Sequence, residues 1–234
     1  MEKIVITGAS SAIGMAIARR LAALGRPMLL HVNSKQMKPD KELSKAEVVV
    51  ADFTKEDELN TFLSRLDDVY ILVHVAASID TQLLPMISEA SIDRMICVNI
   101  SAFTRICQRV IPPMVSRRNG IIVNVSSVVA SKTYRGQSVY AGTKAYMEAF
   151  SRSIAAEYAA RGIRCNCVAP GSIAGGSLSY LMKNMGDRIK DVNASGRLGS
   201  PEDVAGAVAY LCSADAAFVN GEVLHVDGGH WIGL

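Results

Sequence analysis

The stretch KIVITGASSAIG, residues 3–14, decides the fold of this chain. An apolar run, Lys3–Ile6, leads directly into a turn of glycine and small residues, and a helical pattern begins at Ala12. Glycine lets the backbone approach a ligand closely, and the free N–H groups at the start of a helix attract phosphate. Because strand, turn and helix follow one another in this order, the stretch predicts a phosphate-binding site.

The rest of the chain continues this alternation. The predicted strands are Lys3–Ile6, Met28–Val32, Glu47–Val50, Val69–Val75, Gly120–Val125, Arg164–Val168 and Val223–Val226. The predicted helices include Ala12–Leu24, Glu56–Leu66, Ile92–Val115, Ser138–Arg161 and Pro201–Cys212. With no linker in residues 1–234, the pattern predicts a single-domain α/β chain, with a Rossmann-like doubly wound fold and a seven-stranded parallel sheet covered by helices on both faces. Residues 171–196 lack firm periodicity and follow a strand, which favours a lid over the site rather than a plain surface loop.

Composition excludes several classes of protein. Of the 234 residues, 50% are hydrophobic and 20% are charged, which is typical of a globular chain and excludes a disordered one. The 25 Lys and Arg nearly balance the 22 Asp and Glu without long blocks of one sign, so no nucleic-acid partner is expected. The longest apolar stretch, Val69–Ala77, is too short to cross a membrane, and the N-terminal apolar run is too short for a signal peptide.

The 5 cysteines are an odd number and lie in otherwise apolar segments, so they are interpreted as free thiols in a reducing cytoplasm. Cys165 and Cys167 could form half of a metal site, but no second pair or nearby histidine completes it. No metal is therefore expected, and the predicted location is cytoplasmic.

Tyr140 and Lys144 are the clearest candidates for chemistry. Four residues apart on a helix, their side chains share one face about one turn apart. A free tyrosine has a pKa of about 10 and is a poor acid–base group near neutral pH unless positive charge lowers that pKa. The spacing predicts that Lys144 supplies such a charge, although the same pair also occurs by chance on exposed helices.

Several motifs together resemble the short-chain dehydrogenase/reductase family along essentially the whole chain. The turn TGASSAIG is similar to the family's Thr-Gly-x-x-x-Gly-x-Gly fingerprint, with Ala12 at the middle glycine. Ser127, thirteen positions before Tyr140, ends the fifth predicted strand where the family has its catalytic serine, and this spacing distinguishes it from Ser126. Further matches are Asn99, Pro170-Gly171-Ser172-Ile173, Gly221-Glu222 and Asp227-Gly228-Gly229.

The resemblance implies a catalytic set for carbonyl reduction, consisting of Asn99, Ser127, Tyr140 and Lys144. Tyr140 would protonate the carbonyl oxygen while Ser127 hydrogen-bonds it. Lys144 would also hold the nicotinamide ribose. Asn99 would keep a water-filled proton relay behind the lysine.

The resemblance also implies a nicotinamide dinucleotide, and the end of the second strand indicates which one. An Asp or Glu there would accept the ribose hydroxyls of NAD and repel the extra phosphate of NADP. The sequence has Asn33, Ser34 and Lys35 instead, which can donate to phosphate, so NADPH is expected over NAD. The implied cofactor-binding residues are Gly8, Ser10, Ser11, Ile13, Asn33, Ser34, Lys35, Asp52, Phe53, Ala76, Tyr140, Lys144, Pro170, Gly171 and Ile173.

Two departures from the family pattern concern the cofactor end. Ala12 narrows the turn, and HVAA at residues 74–77 replaces the family's Asn-Asn-Ala-Gly, so the bonds that brace the sheet must be rebuilt. His74 is interpreted as a hydrogen-bonded core residue rather than a catalyst. Asp52 is expected to hold the adenine, although a solvated position before a helix also suits it.

Within the family, residues 196–204 and 220–229 look most like the β-ketoacyl-acyl-carrier-protein reductases of fatty-acid and polyketide synthesis. Arg118 and Arg161 match positions where those reductases receive an acidic carrier, although arginines also suit helix ends. The resemblance thus implies a β-ketoacyl thioester on acyl carrier protein or CoA. A dehydrogenase of a free sugar, steroid or small alcohol stays an alternative, as does a catalytically silent scaffold subunit.

Two predicted helices carry apolar residues beyond one face, which predicts pairing across a two-fold axis. These residues are Ile100, Phe103, Ile106, Val110, Ala145, Met147, Phe150 and Ile154. The resemblance implies a homotetramer whose second interface includes the last helix, the last strand and the apolar end Trp231–Leu234.

Overall fold

Seven parallel strands form one sheet in the order β3-β2-β1-β4-β5-β6-β7. The computed structural model describes residues 2–34, 37, 40–175 and 193–232. The strands are β1 Lys3–Thr7, β2 Met28–Val32, β3 Glu47–Val50, β4 Val69–His74, β5 Gly120–Val125, β6 Ile163–Pro170 and β7 Val223–Val226. The helices are α1 Ala12–Ala22, α2 Glu56–Ser64, α3 Glu89–Ile96, α4 Phe103–Arg117, α5 Ser138–Tyr158 and α6 Pro201–Cys212. The predicted seven-stranded parallel sheet is confirmed.

The strand order places a ligand crevice at one point of the sheet. From β1 the chain builds outward through β2 and β3 on one side, and then returns to build β4 to β7 on the other. In such doubly wound sheets, ligands bind beyond the carboxyl ends of the strands where the order reverses. Here the reversal lies between β1 and β4, and the glycine turn, residues 7–14, follows β1 directly.

Two apolar cores cover the two faces of the sheet. Ile4 and Ile6 point to the face covered by α1 and α6, whereas Val5 points to the face covered by α2, α4 and α5. This alternation follows from the two-residue period of a strand. Because both faces are covered, the central strands are apolar throughout, as a parallel sheet requires.

The helix predicted over Ile92–Val115 is interrupted. It begins earlier, as α3, and passes through a π-helical turn, Cys97–Ala102, before it continues as α4. A π turn inserts an extra residue into the helical hydrogen-bond pattern and often marks a functional position. Asn99 lies within this turn and is buried.

Eight apolar residues on two helices led to the prediction that these helices pair across a two-fold axis. For most of the eight, that prediction is wrong. Phe103, Ile106, Val110 and Met147 are fully buried within the chain, and Ile154 is nearly so. They form the second core instead, because α2, α4 and α5 pack against the same face of the sheet.

Within the described ranges, no helix combines the length and apolar character needed to cross a bilayer. The same ranges contain no group of three or more His, Cys, Asp or Glu arranged to hold a metal ion. Cys165 and Cys167 are buried free thiols.

Candidate active site

The glycine turn is packed so closely that side chains are excluded from it. Gly8 has a φ of +66°, and a Cβ there would lie 2.7 Å from the amide nitrogen of Ala76. A Cβ on Gly14 would lie 2.3 Å from the carbonyl oxygen of Gly8. Ser11 caps α1 by accepting from the Gly14 N–H at 3.0 Å and donating to the Gly8 carbonyl at 2.9 Å. The turn therefore presents backbone N–H groups at the start of α1, which is the arrangement that a pyrophosphate requires.

Two adjoining cavities open around this turn. The larger has a volume of about 600 Å³ and the smaller about 520 Å³. The larger cavity brings together the predicted residues Ser11, Ile13, Ser127, Tyr140, Lys144, Pro170, Gly171 and Ile173. The smaller cavity brings together Gly8, Ser10, Ser11, Asn33, Ser34, Phe53 and Ala76. Most of the predicted site thus converges on the carboxyl ends of the strands.

Two predicted cofactor residues are not placed in either cavity. Lys35 lies outside the residues that the structure describes. Asp52 is described, but it lines neither cavity, and its Oδ1 accepts from the N–H of Thr54 at 3.0 Å and from the Thr54 hydroxyl at 2.8 Å. This carboxylate caps the turn before α2, and its contact with adenine stays a prediction.

Only part of the predicted lid, residues 171–196, lies within the residues that the structure describes. Residues 176–192 are not described, whereas Gly171–Gly175 line the larger cavity. The two described ends of the segment meet, since the Ala174 N–H donates to the Gly199 carbonyl at 2.8 Å and the Gly199 N–H donates to Ser172 at 3.0 Å. The base of the segment therefore borders the cavity.

Tyr140 and Lys144 face the larger cavity from the first turns of α5. The Lys144 Nζ lies 5.6 Å from the centre of the Tyr140 ring and donates to the Val125 carbonyl at 2.9 Å. Burial raises the pKa of Tyr140 to about 12, whereas a lowered pKa was expected from the spacing. Burial also lowers the pKa of Lys144 to about 8. Burial leaves a protonated phenol that can donate a proton, and the lowering of its pKa by Lys144 together with a bound nicotinamide stays a prediction.

Ser126 and Ser127 are distinguished by their hydrogen bonds. Ser126 is 3% exposed, and its hydroxyl donates to Glu148 Oε1 at 2.7 Å. Ser127 is half-buried, and its Oγ has a long contact of 3.4 Å with the N–H of Val129. Ser127 is therefore the serine whose hydroxyl is available to the cavity.

Asn99 connects two elements that support the cavity. Its Oδ1 accepts from the Ser78 N–H at 2.7 Å, and its Nδ2 donates to the Ser78 carbonyl and to Thr143 Oγ1, both at 2.9 Å. Both amide hydrogens are thus used within the protein, and the side chain ties the loop after β4 to α5. A part for Asn99 in a proton relay stays a prediction.

Hydrogen bonds of the Thr7 side chain connect the end of β1 to the end of β4, where the family motif Asn-Asn-Ala-Gly is replaced. The Thr7 Oγ1 accepts from the N–H groups of Val75 and Ala76 at 3.1 and 3.2 Å, and its hydroxyl bonds to His74 Nδ1 at 2.9 Å. Burial lowers the pKa of His74 well below its usual range. The interpretation of His74 as a hydrogen-bonded core residue is confirmed.

Among the residues of the smaller cavity that sequence reasoning missed, His31 and Arg94 have the groups most able to bind a ligand. His31 accepts from the Gly8 N–H at 3.2 Å through Nδ1, bonds to the Ala51 carbonyl at 2.8 Å through Nε2, and stacks on Phe53 with 3.9 Å between ring centres. Arg94 lines the same cavity from α3. His31 could have been predicted from its position near the carboxyl end of β2. Arg94 could not, because only the packing of α3 brings it to the smaller cavity.

Arg118 and Arg161 lie close together at the amino ends of β5 and β6, opposite the end of the sheet that borders the cavities. Arg118 ends α4 in the left-handed conformation, and its guanidinium donates to the Ala160 carbonyl at 2.9 Å. A Cβ on Gly162 would lie 2.1 Å from the Arg118 carbonyl oxygen, so the two turns touch. Both arginines are exposed at these adjoining turns.

Comparisons with known proteins agree with this geometry. A family model described as enoyl-(acyl carrier protein) reductase matches residues 8–230. The chain is 36% identical to nodulation protein G of Rhizobium sp. (strain N33), covering 97% of this chain and 96% of that protein. It is 34% identical to the 3-oxoacyl-[acyl-carrier-protein] reductase FabG of Escherichia coli (strain K12), with the same coverage of 97% and 96%. A solved structure from Beutenbergia cavernae with bound NADP at low occupancy, provisionally assigned as an NAD(P)-dependent gluconate 5-dehydrogenase, is similar with a TM-score of 0.93 and 29% identity, covering 100% of this chain and 97% of that one.

Proposed function

Because the chain belongs to the short-chain dehydrogenase/reductase family, we propose that it is an NADPH-dependent ketoreductase that converts a β-ketoacyl thioester to the secondary alcohol. The observation that carries the proposal is the convergence of Ser127, Tyr140 and Lys144 on one cavity beside the glycine turn. That cavity adjoins the smaller one, so a dinucleotide on the turn would extend into both.

The residues of the chain have separate parts in this reduction. Ser127 holds the carbonyl oxygen by a hydrogen bond, and Tyr140, protonated because its pKa is about 12, donates the proton to that oxygen. Lys144 stabilises the negative charge that then develops on the phenol. Bound NADPH would supply the hydride that adds to the carbonyl carbon.

NADPH rather than NADH is supported by the side chains of the smaller cavity. Asn33 and Ser34 line it as donors at the end of β2, and Arg94 is the one charged side chain among its described lining residues. A cavity with this lining favours the additional phosphate of NADPH, since a guanidinium pairs well with phosphate. The relative from Beutenbergia cavernae, with NADP bound, adds support.

A carrier-tethered substrate is supported by the similarity to FabG. Arg118 and Arg161, which would receive the carrier, lie at the ends of β5 and β6 away from the cavity. Reduction of such a substrate would be a step of fatty-acid or polyketide synthesis. The relative provisionally assigned as a gluconate 5-dehydrogenase favours a second candidate, the oxidation or reduction of a free sugar acid. Cytoplasmic location is supported by the described cysteines, which are all free thiols.

The test is the rate of NADPH oxidation with acetoacetyl-CoA, a β-ketoacyl carrier protein, 5-ketogluconate and a ketosteroid. We expect kcat/KM to be higher for the thioesters by at least about tenfold. A preference for 5-ketogluconate would establish the second candidate. Absence of NADPH binding, followed by fluorescence, would instead indicate a scaffold.

The carrier surface is tested separately with Arg118→Glu and Arg161→Glu. Charge reversal should raise KM for the carrier-bound substrate about tenfold or more while leaving acetoacetyl-CoA unaffected. The matched control is Arg20→Glu, which reverses an exposed arginine on α1. Equal effects on both thioesters would exclude a docking role.

A further inference from the structure

Glu148 is a carboxylate buried behind the catalytic cavity. It lies on α5 four residues beyond Lys144, so the two side chains share one face of the helix. Glu148 is 7% exposed and Lys144 is 2% exposed. Carboxylates are almost never this deeply buried unless they are paired, so Glu148 requires partners.

The first partner is Ser126, which directly precedes Ser127 in the chain. The Ser126 hydroxyl donates to Glu148 Oε1 at 2.7 Å and lies 3.5 Å from the Lys144 carbonyl oxygen. A hydroxyl has one hydrogen, and the shorter contact uses it. This bond joins α5 to the strand end that carries Ser127, but a neutral donor does not balance a negative charge.

The Lys144 ammonium makes no ion pair with Glu148, but it is buried one helical turn away, so the carboxylate acts on it through space. The Lys144 Nζ donates to Val125 and lies 3.6 Å from Met147 Sδ. Its positive charge is opposed by burial and favoured by Cys167 and then by Glu148.

The other groups that face Lys144 are uncharged near neutral pH. Cys167 on β6 has a pKa raised to about 11 by burial, so it stays a thiol. His74 on β4 is kept neutral by burial, and Tyr140 on α5 is protonated. Glu148 is therefore the negative charge that acts on the lysine from within this group.

We propose that Glu148, held in place by Ser126, is a positioning residue that keeps Lys144 protonated in the pH range of turnover. The inference rests on the proposed function only in naming Lys144 as a catalytic residue. It identifies a buried Ser126–Glu148–Lys144 arrangement that couples the strand end of Ser127 to the charge of the active site.

The first measurement is the pH profile of kcat/KM for NADPH-dependent reduction by Glu148→Gln. Glutamine keeps the acceptor for Ser126 and removes the charge, so the alkaline limb should move to lower pH by about one unit. Glu148→Asp retains the charge and should restore the profile of the unmodified enzyme. If Glu148 had only a structural role, both variants would lose its contacts, and Glu148→Asp would not restore the profile. Glu157→Gln, which removes an exposed charge from the same helix, is the matched control and should leave the profile unchanged.

The second measurement needs no turnover, so its result is independent of the proposed substrate. The free energy of unfolding is followed against pH for the intact chain and for Lys144→Met, and the difference gives the contribution of Lys144. Because the pKa is about 8 in the folded chain and about 10.5 when unfolded, that contribution rises as pH increases through this range.

In the Glu148→Gln background, the rise should begin about one pH unit lower. An unchanged onset would overturn the inference even if the enzyme reduces thioesters as proposed. If Glu148→Gln does not fold, Ser126→Ala combined with Glu148→Met removes donor and acceptor together and should show the same lowered onset.

Discussion

Single residues in this protein acquire their chemistry from burial. Tyr140 stays protonated because its phenol is removed from water, whereas Lys144 has a pKa of about 8 and is close to losing its proton at neutral pH. His31 is neutral for the same reason and can therefore accept a hydrogen bond from Gly8. The sequence shows which residue types are present, but these directions depend on surroundings that only the folded chain provides.

Asn33→Asp tests the cofactor preference at the end of β2. A carboxylate in the smaller cavity should repel the extra phosphate of NADPH and lower the ratio of NADPH to NADH efficiency by about tenfold or more. Steady-state kinetics with both cofactors measures the ratio. Asn119→Asp makes the same change at an exposed turn and should have no effect, whereas an unchanged ratio in Asn33→Asp would mean that the phosphate binds elsewhere.

His31 predicts a loss of stability in acid. Its pKa is lowered to about 4 in the folded chain, chiefly by burial, and its usual value is 6.5. The unfolded chain therefore binds more protons between these values, so stability is fully present above pH 6.5 and is lost as pH falls toward 4. The contribution is up to about 3 kcal/mol. Chemical denaturation across this range should show a shallower loss in His31→Gln, and an equal loss in both proteins would contradict the assignment.

At the scale of elements, the sequence predicts the sheet more reliably than the interruptions of its helices. Strand and helix periods alternate clearly, and all seven strands lie within about two residues of their predicted bounds, in keeping with the usual uncertainty of element ends. The π turn at Cys97–Ala102 was not predicted, because its residues continue an ordinary helical pattern. Arg94 was missed for a related reason, since its place in the smaller cavity depends on how α3 packs.

Asn99→Ala tests whether the π turn supports the site. The change removes three hydrogen bonds and leaves the N–H and carbonyl of Ser78 without this partner. Unfolding free energy should fall by about 2–4 kcal/mol, and turnover should fall because Thr143 lies in the same turns of α5 as Tyr140. Thr104→Val, which removes side-chain bonds to Ile100 and Tyr146, is the control on α4 and should leave turnover nearly unchanged. Full activity in Asn99→Ala would exclude the supporting role.

For the whole molecule, one group of exposed apolar residues lies near the end of the chain, and another, at residues 79–86, follows β4. Phe218 is fully exposed, Ile232 is 79% exposed, and Trp231 is also exposed. Trp231 stacks on His225 of β7, which is an edge strand of the sheet. Unpaired strand edges with nearby apolar residues favour contact with another chain.

The family resemblance implies a tetramer, and we predict that one of its interfaces uses this end of the chain. Light scattering should give about four times the 25.0 kDa chain mass, and Phe218→Asp or deletion of residues 231–234 should shift it toward a dimer. Leu24→Asp alters an exposed leucine after α1 and should leave the tetramer intact. A monomer at every concentration would contradict the interface, whereas a tetramer indifferent to both changes would exclude this surface.

The most direct test of the central claim is the turnover of Tyr140→Phe with NADPH and a β-ketoacyl thioester. The substitution removes the proton donor and keeps the ring that packs in the cavity, so kcat should fall by at least about a hundredfold while NADPH affinity stays nearly unchanged. Retention of most of the activity would contradict the assignment of Tyr140 as the proton donor and, with it, the proposed reductase mechanism.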